Sequence, residues 1–416
     1  MSADKSSVPG GESVTFTDQV EGVAGGYVGR SADASIAGRV ETVVSHDLAA
    51  VEATWQRLAA GGLHSPGQNI DLTRLWIAAF EIAPKDRFFV TVNLDGQPLA
   101  LLALQRRRRQ GTRALTWFPG SHVGSNAPLA DLARLRGLSP EQRREVWAQM
   151  RAAITGADLI YLRAVPAMVD GADVFAGLGT SVVADTLYRA EFASWDEADR
   201  TQRSKTRRKH DRQQGEKLDA LGAVEFEEVL RGEDAQAILC TMFRQRAARF
   251  ASQGIADPFA DPQVRRFYDW SVLPNSPLDV RLHVLRLNGD VVAVRYNIVE
   301  GDAYYCLISS MSDDAAIQVG SPGKQCLLRV MQTVFEGGAR AFDMGAGLTD
   351  EKRHWCNVQV PVRQHYLPLT AWGRMVCSTH RGWQKLRARL KTNRAFVARC
   401  REGVKALARL KGGPAA

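Results

Sequence analysis

An internal repeat constrains the fold of this chain more than any other feature of the sequence. Residues 94–101 align with residues 287–294, at an offset of 193 positions. Each copy carries a two-residue turn, Asp95-Gly96 or Asn288-Gly289, of the type that closes a β-hairpin. The same order of predicted elements surrounds both copies: helix, helix, hairpin, strand, helix, strand. The repeat therefore predicts two halves of related architecture, with two unrelated α+β hairpins as the alternative.

Hydrophobic periodicity gives the predicted elements of both halves. Helices are predicted over residues 48–60, 71–82, 140–154, 234–251, 262–271 and 322–336. Strands are predicted over residues 88–94, 99–105, 114–118, 159–162, 280–287, 291–299, 304–309 and 341–343. A long charged helix is predicted over residues 199–221. This pattern indicates an α/β (α+β) chain in which mixed sheets are flanked by helices.

Composition divides the chain into five segments. Residues 1–38 are rich in Ser, Gly, Ala and Asp without periodicity, which predicts a disordered tail. Residues 39–198 form the predicted N-terminal half, and residues 223–372 form the C-terminal half. A basic linking helix over residues 199–222 joins them, and a basic amphipathic helix is predicted over residues 373–416.

The net charge of +9 is concentrated at the C-terminus. Residues 374–416 hold twelve Lys or Arg and one acid, Glu402, a net +11, so the rest of the chain carries −2. Apolar residues recur there at helical spacing, from Trp383 and Leu386 onwards. Such a helix could pack on the protein body, contact an anionic membrane face or bind a partner.

The sequence argues for a cytoplasmic enzyme, with the inner face of the membrane as a second possible place. No apolar run approaches the roughly 18 residues of a membrane span, and the first residues lack a signal-peptide core. The basic segment 200–217 contains few aromatic residues and no nucleic-acid-binding signature, which argues against a nucleic-acid partner. Its alternative interpretations are a solvated linking helix and a surface for an anionic ligand.

The first candidate site is the turn that precedes the predicted helix at residue 322. Helix N-termini offer free N–H groups and the positive end of the dipole, which suits a phosphate group. The residues predicted to hold a phosphate or pyrophosphate there are Gln318, Gly320, Ser321, Gly323 and Lys324, although many helices without a ligand also begin with Ser-Pro.

The second candidate site follows the strand that ends at Asp343. A carboxylate at the carboxyl end of a strand often faces a ligand crevice, although a turn or helix-capping Asp is equally compatible with the pattern. The sequence contains no GxSxG, HExxH or Walker motif and no clustered His and Cys spacing, so no metal is expected.

At this point the residues resemble a known family. Residues 204–229, the Ser321-Pro322-Gly323 turn and residues 342–355 resemble GNAT-fold acetyltransferases involved in cellulose biosynthesis (CelD/BcsL type). That family is related to the FemABX peptidoglycan aminoacyltransferases. The resemblance extends over about residues 40–369. It implies tandem duplicated GNAT-like domains, each a mixed central sheet flanked by helices.

The late family motif maps onto Asp343, Gly347, Lys352 and Trp355 at matching spacing, with Glu351 where the family usually has Tyr. The resemblance implies an acyl-CoA-dependent N-acyltransferase whose acceptor is a small-molecule or glycan amine, in polysaccharide or envelope metabolism. The cofactor it implies is acetyl-CoA or another acyl-CoA, bound by the second half, without a metal.

The resemblance also implies roles for individual residues. Asp343 would be the general base, and Tyr304 or Tyr305 would protonate the departing thiolate. Lys352, counted with these catalytic residues, would hold an anionic acceptor or the CoA phosphates together with Arg207. Backbone N–H groups near Leu307 and Ser309 would stabilise the oxyanion. The residues assigned to substrate binding are Lys205, Arg207, Arg208 and Trp355.

Two other functions stay open. A FemABX-like transferase would take an aminoacyl group from tRNA and would need a basic surface such as residues 200–217. A non-catalytic scaffold of a polysaccharide-synthesis assembly would dock through residues 380–411.

Overall fold

The structure, a computed structural model, describes residues 38–120 and 122–392, with side chains up to residue 386. The predicted tail up to residue 37 and the basic segment after residue 392 lie outside the described residues.

The first half contains seven strands and four α-helices among the described residues. In chain order they are β1 (Val40–Ser45), α1 (Glu52–Ala59), α2 (Ile70–Ala79), β2 (Arg87–Leu94), β3 (Gln97–Arg109), β4 (Thr112–Trp117), β5 (Leu129–Ala130), α3 (Leu132–Gly137), α4 (Pro140–Ala153), β6 (Leu159–Pro166) and β7 (Thr180–Glu191).

The remaining described chain repeats this order of strands, except that it has no counterpart of β5, and it contains additional helices. Its elements are α5 (Trp195–Gln202), α6 (Lys205–Asp219), β8 (Val224–Val229), α7 (Glu233–Ser252), α8 (Pro262–Ser271), β9 (Val280–Leu287), β10 (Asp290–Glu300), β11 (Ala303–Met311), α9 (Ala315–Gln318), α10 (Pro322–Glu336), β12 (Ala341–Ala346), α11 (Asp350–Trp355), β13 (Val358–Pro368) and α12 (Ala371–Thr392).

The described strands form one mixed sheet whose order shows the duplication directly. Twelve strands follow the order β1-β2-β3-β4-β6-β13-β7-β12-β11-β10-β9-β8, and β5 pairs with β3. Each strand has a counterpart in the other half: β1 and β8, β2 and β9, β3 and β10, β4 and β11, β6 and β12, β7 and β13. Exchanging every strand for its counterpart and reading the list of strands from its other end gives the same order. The predicted α/β fold with two duplicated halves is therefore confirmed.

The halves exchange their last strands. Strand β7 of the first half pairs with β12 of the second, and β13 of the second half pairs with β6 of the first. Both exchanged strands also pair with each other, antiparallel, from Val358 opposite Arg189 to Tyr366 opposite Thr180. The two halves consequently share one continuous hydrogen-bonded sheet.

Both predicted hairpins are confirmed. Asp95 and Gly96 have φ values of 53° and 72°, and Asn288 and Gly289 have 53° and 85°. Two successive positive φ values give the primed turn that matches the twist of paired strands, which explains the Asp-Gly and Asn-Gly pairs.

The prediction of one long charged helix over residues 199–221 is wrong, because two helices lie there. α5 ends at Gln202 and α6 begins at Lys205. Ser204 lies between them in an extended conformation, and its side chain accepts a hydrogen bond from Arg207 N–H. A serine cap starts a new helix more readily than it continues an old one.

A shared core joins the halves on one face of the sheet. Helices α1 and α2 of the first half and α7 and α8 of the second pack together there, with Trp76 and Phe267 ring centroids 5.1 Å apart. On the opposite face α4 covers the first half and α10 covers the second. Within the described residues, no helix combines the length and the apolar character needed to cross a bilayer.

Candidate active site between the diverging strands

Strands β11 and β12 pair for three residues and then diverge. Their parallel register runs from Ala303 opposite Ala341 to Tyr305 opposite Asp343. Beyond Tyr305, β11 has no strand partner on that side. A β-bulge also leaves Leu307 without a partner in β10, since Tyr296 pairs with Ile308 and the next residue pairs with Cys306. The backbone at this point is therefore free to contact a ligand.

A cavity of about 400 Å³ opens at this divergence and lies between the halves. Asp343, Tyr305 and Leu307 line it from the second half. Residues of the first half complete its wall, among them His122, Ser125 and Arg163. Gln364 of the exchanged strand β13 also faces this central cavity. A site of this size and mixed polarity suits a small polar substrate.

Asp343 is buried and already paired. Its Oδ2 lies 2.6 Å from Arg189 Nε, and its Oδ1 accepts a hydrogen bond from Gly345 N–H at 2.6 Å. Both oxygens of the carboxylate already have partners, so neither is free to accept a proton from a substrate. The structure thus places Asp343 at the cavity in an arrangement better suited to holding β7 against β12.

The two tyrosine candidates lie on opposite faces of β11, as the alternation of a strand requires. Tyr305 lines the central cavity, and burial raises its pKa to about 12. Tyr305 therefore stays protonated near neutral pH and is able to donate a proton. Tyr304 lies on the other side, with its ring 6.1 Å from that of His283.

Lys352 and Trp355 do not line the central cavity. Lys352 Nζ donates to the carbonyl oxygens of Gly345 and Ala346 at 3.0 and 2.5 Å, and burial lowers its pKa. It therefore fixes the end of β12 at the cavity wall. Trp355 packs in the core with its ring 6.0 Å from that of Trp195, which accounts for its burial without a ligand.

The turn before α10 is largely filled by neighbouring side chains. The N–H groups of Gly320, Ser321, Lys324 and Gln325 all bond to carbonyls within the turn, whereas the N–H of Gly323 makes no such bond. The Ser321 hydroxyl accepts from Gln214 Nε2 at 2.8 Å, and the Gln318 amide bonds to the Ser312 carbonyl.

The space that a ligand would need at this turn is occupied as well. Leu218 of α6 packs on Gly320, so that even a Cβ at residue 320 would collide with it. A Cβ at Gly323 would lie 2.9 Å from Met311 Sδ. The residues therefore do not fit a CoA diphosphate at this turn as the sequence predicted.

An ion pair fills the passage beside the turn. Arg295 is almost fully buried, and its Nη2 lies 3.2 Å from Glu351 Oε2 and 3.3 Å from the Gly323 carbonyl oxygen. The cavity left between β11 and α10 measures about 60 Å³. A pantetheine arm is several times larger, so the Arg295–Glu351 pair closes this route.

The basic residues predicted to bind substrate are used in ion pairs instead. Arg207 Nε lies 3.0 Å from Asp211 Oδ1, and Arg208 Nη2 lies 2.8 Å from Asp199 Oδ2. Lys205 is exposed at the first turn of α6. None of the three lines the central cavity.

A tryptophan side chain bridges the point where the strands of the first half diverge. β4 and β6 pair at Ala114 and Leu115 and then separate. Trp117 Nε1 donates to the Arg163 carbonyl at 3.0 Å and bridges the gap. The loop after β4 turns towards the second half and carries His122 into the central cavity. Sequence reasoning missed His122, because its contacts come from distant parts of the chain.

The comparisons with known proteins bear on the second half. Residues 205–353 match the family model described as acetyltransferase (GNAT) domain. This part of the chain has the GNAT acetyltransferase fold. The GNAT domain includes the diverging β11 and β12, the turn before α10 and Asp343. A search of curated proteins found no match.

Several solved structures are similar to the chain at low identity. FemX has 11% identity over 78% of this chain and 96% of its own, with a TM-score of 0.48. The L-PGS protein from Bacillus licheniformis has 12% identity over 81% and 97%, with a TM-score of 0.46. A tandem GNAT protein from the clavulanic acid biosynthesis pathway has 12% identity over 80% and 99%, with a TM-score of 0.42.

Within the described residues, no group of three or more His, Cys, Asp or Glu side chains is arranged to hold a metal ion.

Cys306 lines the central cavity, and burial raises the pKa of its thiol. It is therefore protonated at neutral pH and poorly suited to act as a nucleophile.

Proposed function

We propose that this protein is an N-acyltransferase that transfers an acyl group to an amine held in the central cavity. The observation that carries the proposal is the cavity at the divergence of β11 and β12, within the part of the chain that matches the GNAT domain. Unpaired backbone of β11 near Leu307 is available to hold the carbonyl oxygen of the acyl group as it becomes an oxyanion. Tyr305 is available to protonate the leaving group.

The acceptor is proposed to be a small-molecule or glycan amine. The cavity has a lining of mixed polarity, and Arg163, one of its lining residues, has no carboxylate partner among the described residues. An amine that also carries an anionic group would be held by Arg163 while its nitrogen reaches the carbonyl carbon. Holding both reactants in this way converts a bimolecular reaction into an effectively unimolecular one.

The donor is proposed to be an activated carbonyl compound, either a thioester or an ester. Acyl-CoA is the donor that the sequence resemblance implies, but the filled turn before α10 does not fit its diphosphate in the conformation described. An aminoacyl ester of tRNA is a second candidate. It is favoured by the same observation, because it requires no diphosphate at α10.

The test is a donor-by-acceptor matrix read by mass spectrometry of the acceptor. Acetyl-CoA, a long-chain acyl-CoA and aminoacyl-tRNA are each incubated with the purified protein and a panel of amino sugars and small amines. An acylated amine with any donor supports acyl transfer, and the productive donor decides between the two candidates. No product in any combination contradicts the proposal.

A further inference from the structure

The proposed transfer needs a group that accepts the amine proton, and Asp343 is committed elsewhere. Both of its oxygens have partners, Arg189 on one side and Gly345 N–H on the other. The other carboxylate at the cavity, Asp185, lies on the exposed part of β7. Cys306 and Tyr305 have raised pKa values because they are buried, so neither accepts a proton as a neutral group.

His122 is the remaining titratable side chain with suitable chemistry at the cavity wall. It is half-buried and surrounded by aromatic rings, with centroids of Trp76, Phe259 and Tyr268 at 5.5, 6.1 and 6.1 Å. Its Nδ1 lies 3.4 Å from Tyr268 Oη. These contacts fix the plane of the imidazole at the wall of the cavity that Tyr305 and Asp343 also line.

The second ring nitrogen of His122 is free. Nε2 makes no hydrogen bond to a described residue, and it is not among the buried side-chain atoms that lack a partner. It is therefore not a buried, unpartnered atom, and it belongs to a residue that lines the cavity. In the tautomer whose Nδ1–H donates to Tyr268 Oη, the lone pair resides on Nε2, where a substrate proton would arrive.

The surroundings keep this imidazole neutral. Burial lowers the pKa of His122, and the positive charge of Arg107 lowers it further, against a smaller opposing effect of Asp261. Burial also raises the pKa of Tyr268, so the hydroxyl that contacts Nδ1 keeps its proton. An unprotonated imidazole near neutral pH is the form that a general base requires.

We propose that His122, supplied by the first half, is the general base of the transfer catalysed in the second half. The inference rests on the proposed function. His122 Nε2 takes a proton from the amine as the nitrogen forms its bond to the carbonyl carbon. The bond between that carbon and the sulfur or oxygen of the donor breaks, and its electron pair leaves on the departing atom, which Tyr305 protonates. The two halves are then one catalytic unit.

The first experiment measures kcat/KM against pH for the wild-type chain, His122→Gln and His122→Ala. Loss of the base lowers kcat/KM about 10²- to 10⁴-fold and removes the acidic limb of the profile. Added imidazole is expected to restore part of the activity of His122→Ala, which a purely structural role would not allow. His46→Gln, a substitution at an exposed histidine outside the cavity, is the matched control and keeps the wild-type profile.

A second experiment does not depend on transfer activity. Diethylpyrocarbonate carbethoxylates an unprotonated, accessible imidazole, and peptide mass spectrometry locates the product. His122 is expected to react at least tenfold faster than the fully buried His283, with a pH midpoint below the ordinary histidine value. Equal or slower reaction of His122 overturns its assignment as the base.

The two experiments separate the proposals. A wild-type protein that transfers acyl groups while His122→Gln keeps its rate and pH profile overturns the role of His122 alone. A wild-type protein that transfers nothing, with His122 still reactive towards diethylpyrocarbonate, overturns the proposed function.

Discussion

Arg189 Nε lies 2.6 Å from Asp343 Oδ2, and this ion pair joins a strand of the first half to a strand of the second. Arg189 belongs to β7 and Asp343 to β12, and the two residues are direct partners in the register of these strands. The pair therefore links the exchanged strands and holds Asp343 at the wall of the central cavity.

Breaking this pair is expected to destabilise the whole fold. Arg189→Met leaves the carboxylate of Asp343 buried without its cation, which costs about 3–5 kcal/mol in the free energy of unfolding. Arg74→Met removes half-exposed ion pairs with Glu52 and Asp71 and is the control, with an expected change of about 0–1 kcal/mol. Urea unfolding of both variants checks this, and equal changes for the two would contradict it.

The stability of the protein is expected to fall between about pH 4.5 and pH 7 because of Glu300. Burial raises the pKa of this carboxyl to about 7, assisted by Asp71 and Asp279 and opposed by a hydrogen bond from Asn69. The folded state binds the proton more tightly than the unfolded state. The contribution of Glu300 to the free energy of unfolding is therefore complete below about pH 4.5 and is lost as the pH rises through about 7.

The variant Glu300→Gln isolates this effect. Each unit of pKa corresponds to 1.36 kcal/mol. The free energy of unfolding of the wild type is therefore expected to fall by up to about 3 kcal/mol relative to that of the variant across this window. Denaturant unfolding at pH 4.5, 6 and 8 measures it. Parallel pH curves for the two proteins would show that Glu300 titrates normally in the folded state.

The two candidate lysines are expected to respond differently to substitution by methionine. Lys352→Met removes the bonds to the Gly345 and Ala346 carbonyls, so the cavity wall loosens and the protein loses about 1–3 kcal/mol of stability together with transfer activity. Lys324→Met is expected to change KM for the donor less than twofold, because neighbouring side chains already fill the turn before α10. Steady-state kinetics with the productive donor decide this. A tenfold rise in KM for acyl-CoA in Lys324→Met would place the diphosphate at that turn.

The local elements could be predicted from the sequence, because their signals are local. The hairpins at Asp95 and Asn288 follow from dipeptides that adopt positive φ. Helices α8 and α10 begin at prolines that follow Asp261 and Ser321, and both helices match their predicted bounds. Ser204 is also a residue type that caps helices, which would have predicted the break between α5 and α6. The continuous run of charged residues on both sides of Ser204 instead favoured one uninterrupted helix.

The exchange of β7 and β13 could not be predicted in this way. Pairs such as Arg189 and Val358 are 169 residues apart, and nothing in either segment specifies its partner. The central cavity depends on this exchange. Since strand alternation does not say which face meets the other half, the sequence could not choose between Tyr304 and Tyr305 or identify His122.

The central claim, that acyl transfer takes place in the cavity between the halves, is tested most directly by filling that cavity. Ala184 is exposed on β7 and lines it, so Ala184→Trp occupies space without disturbing the core, and Ala78→Trp on the outer side of α2 is the matched control. Mass spectrometry of the acceptor amine gives the yield. We expect product from wild type and Ala78→Trp and at least a tenfold loss in Ala184→Trp; equal yields from all three proteins, or none from wild type, would contradict the claim.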